Sequence, residues 1–194
     1  MKIRTITTGI NLSYPVEELK IKKIAGFNLK AKEIFEHNGY EVQSLRIATQ
    51  PWAEYLGMLN QDQIIDEIKN IEKSCVHNGI DFVSVGTVTD PEFIDLIPEI
   101  NKVTSVVFAQ VTVGDVIRGI NYEAARRAAN VVVRISKEPA TGYGNLRFAA
   151  LSNCPPDIPF FPASYHKGET CFSIGLECSD LVLIAFEKSK NLVE

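Results

Sequence analysis

The chain has 194 residues, of which 45% are hydrophobic, enough for one substantial core and the right size for a single domain. Twenty Lys and Arg against 24 Asp and Glu give a formal charge of -4, and the basic residues are dispersed, which argues against a nucleic-acid surface. The start, MKIRTITTGINLSYP, lacks the apolar run and cleavage site of a signal peptide, and no stretch reaches the roughly 20 apolar residues that span a bilayer, so a cytoplasmic protein with no membrane partner is expected. Cys75, Cys154, Cys171 and Cys178 have no CxxC spacing and read as free thiols.

Residues 2–10, KIRTITTGI, alternate and are rich in β-branched types, predicting a first strand. Pro15 offers a helix start, and Ile24, Phe27, Ala31, Ile34 and Phe35 recur at helical spacing until His37-Asn38-Gly39 stops the run. A second strand is predicted over Tyr40 to Thr49, followed by Pro51-Trp52 and a short helical turn. Asn60 with Gln63 forms a reciprocal cap for a helix whose buried stripe is Ile64, Ile68, Ile71 and Cys75, ending at Asn78-Gly79. The third strand is Ile80 to Val88, and Asp90-Pro91-Glu92 supplies a capping carboxylate and a first-turn proline for a helix to about Asn101.

A fourth strand, Ser105 to Val113, precedes a helix capped by Asn121. Thr141 to Asn145, TGYGN, opens a strand rather than a helix and lacks the P-loop Lys-Ser/Thr, so it reads as a turn. Leu146 to Ser152 is the fifth strand, Thr170 to Glu177 the sixth, and Ser179 to Lys188 a last helix. This alternation predicts an α/β fold with a mostly parallel sheet. In a doubly wound sheet both strand faces are apolar. Here Ser44, Arg46, Ala48 and Gln50 share one side of the second strand, Lys2, Arg4, Ile6 and Thr8 one side of the first, and Ser84 and Gly86 one side of the third. Such faces suit a barrel interior or an open cleft, so an α/β barrel, or half of one, is preferred to a doubly wound sheet.

The segment from Asn153 to Glu177, NCPPDIPFFPASYHKGETCFSIGLE, holds four of the nine prolines and interrupts the regular pattern. Irregular loops on regular scaffolds are common binding sites. His166 in this segment is the candidate catalytic residue, as general acid or base; the alternative is a hydrogen bond to the loop backbone. His37 and His77 end helices and read as structural. Arg4 and Arg46 are candidates for a bidentate clamp on a phosphate or carboxylate, or else for a salt bridge or a solvated strand end. Thr8, Asn11 and Asn153 occupy turns at strand ends, where parallel folds gather ligands, and Glu177 lies near His166 in sequence. Cys154 has no neighbour in sequence that would activate it as a nucleophile. No metal ligand set is assigned, because His166 and Cys171 lack further ligands at useful spacing, and no cofactor is identified.

The segments IRTITTGINL at Ile3 to Leu12, PFFPASYHKGE followed by FSIGLE, GYEVQSLRIATQPW and GIDFVSVGT resemble domain-of-unknown-function family 711, also called uncharacterised protein family 0210. The resemblance runs over nearly the whole chain. It implies a fold grouped with the pyruvate formate-lyase-like glycyl radical enzymes, a barrel built from two parallel half-sheets, and supplies no biochemical function. The glycine loop of radical enzymes has no counterpart here, so radical chemistry is not carried over. Family members are about twice as long, so the chain is expected to be the N-terminal half of a longer barrel, or to close its cleft as a homodimer. The ligand expected is a small anionic molecule, bound by an enzyme or by a non-catalytic scaffold that a second chain or copy completes.

Overall fold

A computed structural model describes residues 1–138 and 142–189; Thr141 of the predicted TGYGN turn lies outside the described residues. The strands are β1 Lys2–Ile10, β2 Leu45–Thr49, β3 Phe82–Val88, β4 Val107–Asp115, β5 Gly119–Ile120, β6 Phe148–Ser152 and β7 Cys171–Glu177. The helices are α1 Glu18–His37, α2 Ala53–Leu56, α3 Gln61–His77, α4 Pro91–Val103, α5 Tyr122–Ser136 and α6 Ser179–Lys188. Strands β1, β2, β3, β4 and β6 run parallel in that spatial order, β7 lies antiparallel against β1 at one edge, and β5 turns back on the end of β4.

Each helix crossover advances the sheet by one strand in the same direction. Because such crossovers are right-handed, α1, α3, α4 and α5 all fall on one face. The sheet is therefore open, mostly parallel and covered by helices on one face, and it is not a closed barrel. The core lies between sheet and helices, where Ile6, Ile10, Ile47, Val83, Val85 and Val111 meet Ile21, Ile64, Ile68, Ile71, Ile94, Ile97 and Val131. Among the described residues, no helix is long and apolar enough to cross a membrane.

Local signals account for most element ends. Asn60 Oδ1 accepts from Gln63 N–H at 3.0 Å, and Gln63 Oε1 accepts from Asn60 N–H at 3.1 Å, so the predicted capping box forms. Asn121 Oδ1 likewise accepts from Ala124 N–H at 3.0 Å. Asp90 departs from expectation: Pro91 takes the first helical turn, but the carboxylate makes no capping hydrogen bond. Helix α1 starts at Glu18, three residues beyond Pro15. Strand β2 is regular only from Leu45; before it, Val42 makes a single bridge to Ile3.

The phase of β1 also differs from its simple alternation. A register irregularity between Ile3 and Thr5 turns the strand, so Ile6, Thr8 and Ile10 face the helices, and Thr5, Thr7 and Gly9 face the opposite side. Thr8 Oγ1 donates to Asn28 Oδ1 of α1, and Asn28 Nδ2 donates to Arg46 O at 3.1 Å. The helix-free face is thus lined by Thr5, Thr7, Ser44, Arg46, Ala48, Phe82, Ser84, Phe108, Gln110 and Thr112. The proline-rich segment of residues 153–170 packs over much of it as a third layer.

Candidate functional site

Hydrogen bonds with β1, β3, β4 and β2, among others, fasten the irregular segment to the sheet. Thr7 Oγ1 donates to Pro159 O at 2.9 Å, Ser84 Oγ to Ser164 O at 2.6 Å, Gln110 Nε2 to Pro162 O, and His166 N to Thr49 O at 3.0 Å. Between these anchors the Phe161 ring lies against Phe108 at a centroid distance of 5.0 Å. The polar strand face thus satisfies loop carbonyls that helices would have left without partners. Among the described residues, Gln110 Oε1 and Ser164 Oγ are buried without a hydrogen-bond partner.

The sequence-predicted residues fall at the two ends of this face. At the amino ends of the parallel strands, Arg4 Nη1 donates to Gln43 Oε1 at 2.9 Å and lies 3.9 Å from Glu177 Oε2, which also accepts from Gln43 Nε2 at 3.0 Å. Arg46 is only 8% exposed. Its Nε donates to Ser44 Oγ at 3.0 Å, and its guanidinium carbon lies 5.4 Å and 5.1 Å from the Phe82 and Phe161 ring centres. Among the described residues, its two terminal nitrogens have no hydrogen-bond acceptor. Burial, and then the nearby Arg4 charge, lower its pKa to about 10, against a smaller opposing pull from Asp81. The Asp81 carboxylate is engaged by Leu45 N–H at 2.7 Å.

At the carboxyl ends lies His166, fully buried. Its Nδ1 is 2.6 Å from Asp157 Oδ1 and its Nε2 is 3.1 Å from Gly168 O. A carbonyl can only accept, so Nε2 carries a proton, and a further proton is shared between Nδ1 and the carboxylate. Asn11 Nδ2 donates to the same Gly168 O at 2.7 Å. The Cys171 thiol joins the cluster: the ligand atoms of Asp157, His166 and Cys171 all lie within 4.8 Å of one another. Burial raises the Cys171 pKa, and the Asp157 charge and hydrogen bond raise it further, so this thiol is no activated nucleophile. The Cys154 thiol is also pushed up by burial.

The remaining predicted residues stand apart from both groups. Thr8 is held by α1, as described, and Asn153 is an exposed residue in left-handed backbone, φ 52°, just after β6. At the carboxyl ends of β3 and β4 a cavity of about 350 Å³ is lined by Thr89, Thr112, Asp115, Arg118 and Asn121. A larger depression, about 1030 Å³, lies on the helix layer between α1 and α3, away from these polar clusters.

The profile of the family described as Uncharacterised ACR (DUF711) matches residues 1–194. The chain belongs to this family. It is 27% identical to the UPF0210 protein of Methanopyrus kandleri over 99% of its own length and 48% of that protein's. It is 25% identical to a UPF0210 protein of Neisseria meningitidis serogroup A over 96% and 46%, and 26% identical to one of Clostridium beijerinckii over 98% and 48%. It spans about half the length of these curated relatives.

Two residues of this DUF711 chain matter to the carboxyl-end cluster and escaped the sequence reading. Asp157 lies nine residues before His166 in a segment without periodicity, so spacing gave no signal. Gly9 sits in β1 as predicted, but nothing in its sequence shows its role: a Cβ there would lie 2.3 Å from His166 Nδ1 and 3.0 Å from Asp157 Oδ1. The absence of that one carbon makes room for the imidazole.

Proposed function

We propose that this chain binds a small anionic molecule, a carboxylate or phosphate, through Arg46 with help from Arg4, at the amino ends of the parallel strands. The observation that carries the reading is Arg46 itself: a partly desolvated guanidinium beside two phenylalanine rings, whose terminal nitrogens have no protein acceptor among the described residues and reach solvent. A partly buried charge without a paired partner carries a desolvation cost, and an incoming anion would offset that cost while accepting two parallel hydrogen bonds. Arg4 adds a second positive charge, and Phe161 closes the site from the irregular segment. The usual ligand position in parallel sheets is the carboxyl end; the charge distribution here favours the other. His166 is at the opposite end, so this reading gives it no proton-transfer role on the anion.

The test uses Arg46→Met, which keeps the packing volume and removes the charge. With inorganic phosphate and small di- and tricarboxylates as probes, the unaltered protein's Tm should rise with ligand concentration. In R46M that rise should vanish, while the ligand-free Tm holds or increases because a desolvated charge has gone. A fall in ligand-free stability with the anion response intact would assign Arg46 to structure and end this reading.

A second reading is favoured by α6. Leu181, Val182, Leu183, Ile184 and Phe186 are all exposed, and the helix buries no residue. Isolated amphipathic surfaces of this kind mark interaction sites. On this reading the sheet is half of a barrel of the pyruvate formate-lyase-like type. A second polypeptide segment, of the kind that fills the other half of the relatives' length, covers α6 and completes the cleft. A well-behaved monomer by light scattering that binds no apolar dye would count against it.

A further inference from the structure

We propose that Asp157, His166 and Cys171 form a binding site for one divalent transition-metal ion, zinc foremost, at the carboxyl ends of β1 and β2. This site is separate from the Arg46 position and does not depend on it. The donor set is one carboxylate oxygen, one imidazole nitrogen and one thiolate sulfur, a borderline-soft mixture that suits Zn²⁺ and not Mg²⁺ or Ca²⁺. The three ligand atoms already lie within 4.8 Å of one another. Tetrahedral zinc with bonds of about 2.0–2.3 Å sets its ligands roughly 3.3–3.8 Å apart, so the ion would widen the 2.6 Å gap between Nδ1 and Oδ1 and draw the sulfur inward.

The surroundings are those of a built site. His166 Nε2–H donates to Gly168 O, which leaves Nδ1 as the nitrogen whose lone pair can meet a metal, and that nitrogen meets Asp157 Oδ1 at 2.6 Å in the cluster that also holds Cys171. Metal-bound histidines are characteristically oriented by such a donation from the other ring nitrogen. Asn11 Nδ2 holds the same carbonyl, giving a second layer of support. Asp157 is fixed through its own backbone, with its N–H donating to Tyr165 O at 2.8 Å and its carbonyl accepting from Ser173 Oγ at 2.6 Å. Gly9 contributes by lacking a side chain where one would fill the space.

Binding displaces two protons, the Cys171 thiol proton and the one shared between Asp157 and His166. The resulting ligands carry two negative charges against the ion's two positive ones. Asp157 and Cys171 are each partly exposed, so solvent reaches the cluster, and a water or an incoming ligand atom could supply a fourth ligand.

The experiment treats the purified chain with a chelator, confirms folding by circular dichroism, and titrates it with Co²⁺ and then Zn²⁺. Expected is one ion per chain, with a near-ultraviolet thiolate-to-cobalt charge-transfer band that Zn²⁺ displaces. Cys171→Ser should abolish the band while the chain stays folded, and Cys154→Ser and Cys178→Ser should leave it. Asn11→Ala should weaken binding by about 10- to 100-fold while keeping the band, since it removes support and not a ligand. No charge-transfer band on folded protein, or a band equally strong in C171S, would overturn the proposal.

Discussion

Gly9 shows how a missing side chain can decide what a strand end holds. Its neighbour His166 is fully buried, fixed at both ring nitrogens and anchored by its backbone to β2, so it cannot swing away from a new methyl group. Gly9→Ala should therefore cost about 1–3 kcal/mol by overpacking, read as a lowered midpoint in urea denaturation. An unchanged midpoint would mean that the imidazole moves freely, and the rigid cluster drawn above would be wrong. Arg46 makes the opposite case, a group whose burial costs stability. Its folded pKa of about 10 lies below its ordinary value, so at neutral pH both states are protonated and the burial cost is present in full. As pH rises through about 10, the folded chain releases that proton before the unfolded chain does, and this cost is relieved. A bound anion would oppose that release, so ligand saturation should move this contribution to higher pH.

At the scale of elements, two helix starts that look alike in sequence have different energetics. Asn60 and Asp90 are both capping residues by type, followed by good first-turn chemistry. Only Asn60 is a cap in fact, with both bonds of the box closed, whereas Asp90 leaves the start of α4 to Pro91. Asn60→Ala should cost about 1 kcal/mol in equilibrium unfolding, and Asp90→Ala should stay within about 0.5 kcal/mol. Equal losses would contradict the capping geometry. The comparison marks what was legible from residues alone. Helix periodicity, the Asn-Gly stops and the β-branched runs are local, so element types and order could be read directly. The polar face of β2, with Ser44, Arg46 and Ala48, could also be read from alternation. The face of β1 could not, because the irregularity between Ile3 and Thr5 shifts its phase by one residue, and nothing local announces it. Asp157 was hidden for a related reason, since its contact with His166 is made across an aperiodic segment whose path only the sheet beneath it defines.

For the whole molecule, the arrangement is asymmetric: apolar strand residues meet helices on one side, and polar ones meet an irregular segment on the other. The first interface is a continuous apolar core. The second rests on a few hydrogen bonds and on Phe161, whose ring touches both Phe108 and the Arg46 guanidinium. The two layers should therefore differ in local stability. Phe161→Ala removes an apolar contact of the segment with the sheet, the ring pair with Phe108, while leaving the helix-side core intact. Amide hydrogens bonded across the segment, those of Asp157 and His166, should then exchange at least tenfold faster. Amides of β3 facing β4, such as Val83 with its bond to Val106 O, should keep their protection. Both candidate sites draw on this segment, Phe161 for the anion and Asp157 with His166 for the metal, so the same variant should weaken both kinds of binding together. If protection is lost equally in the segment and in β3, the three layers unfold as one unit, and the segment is part of the core and not a cover that sits on it.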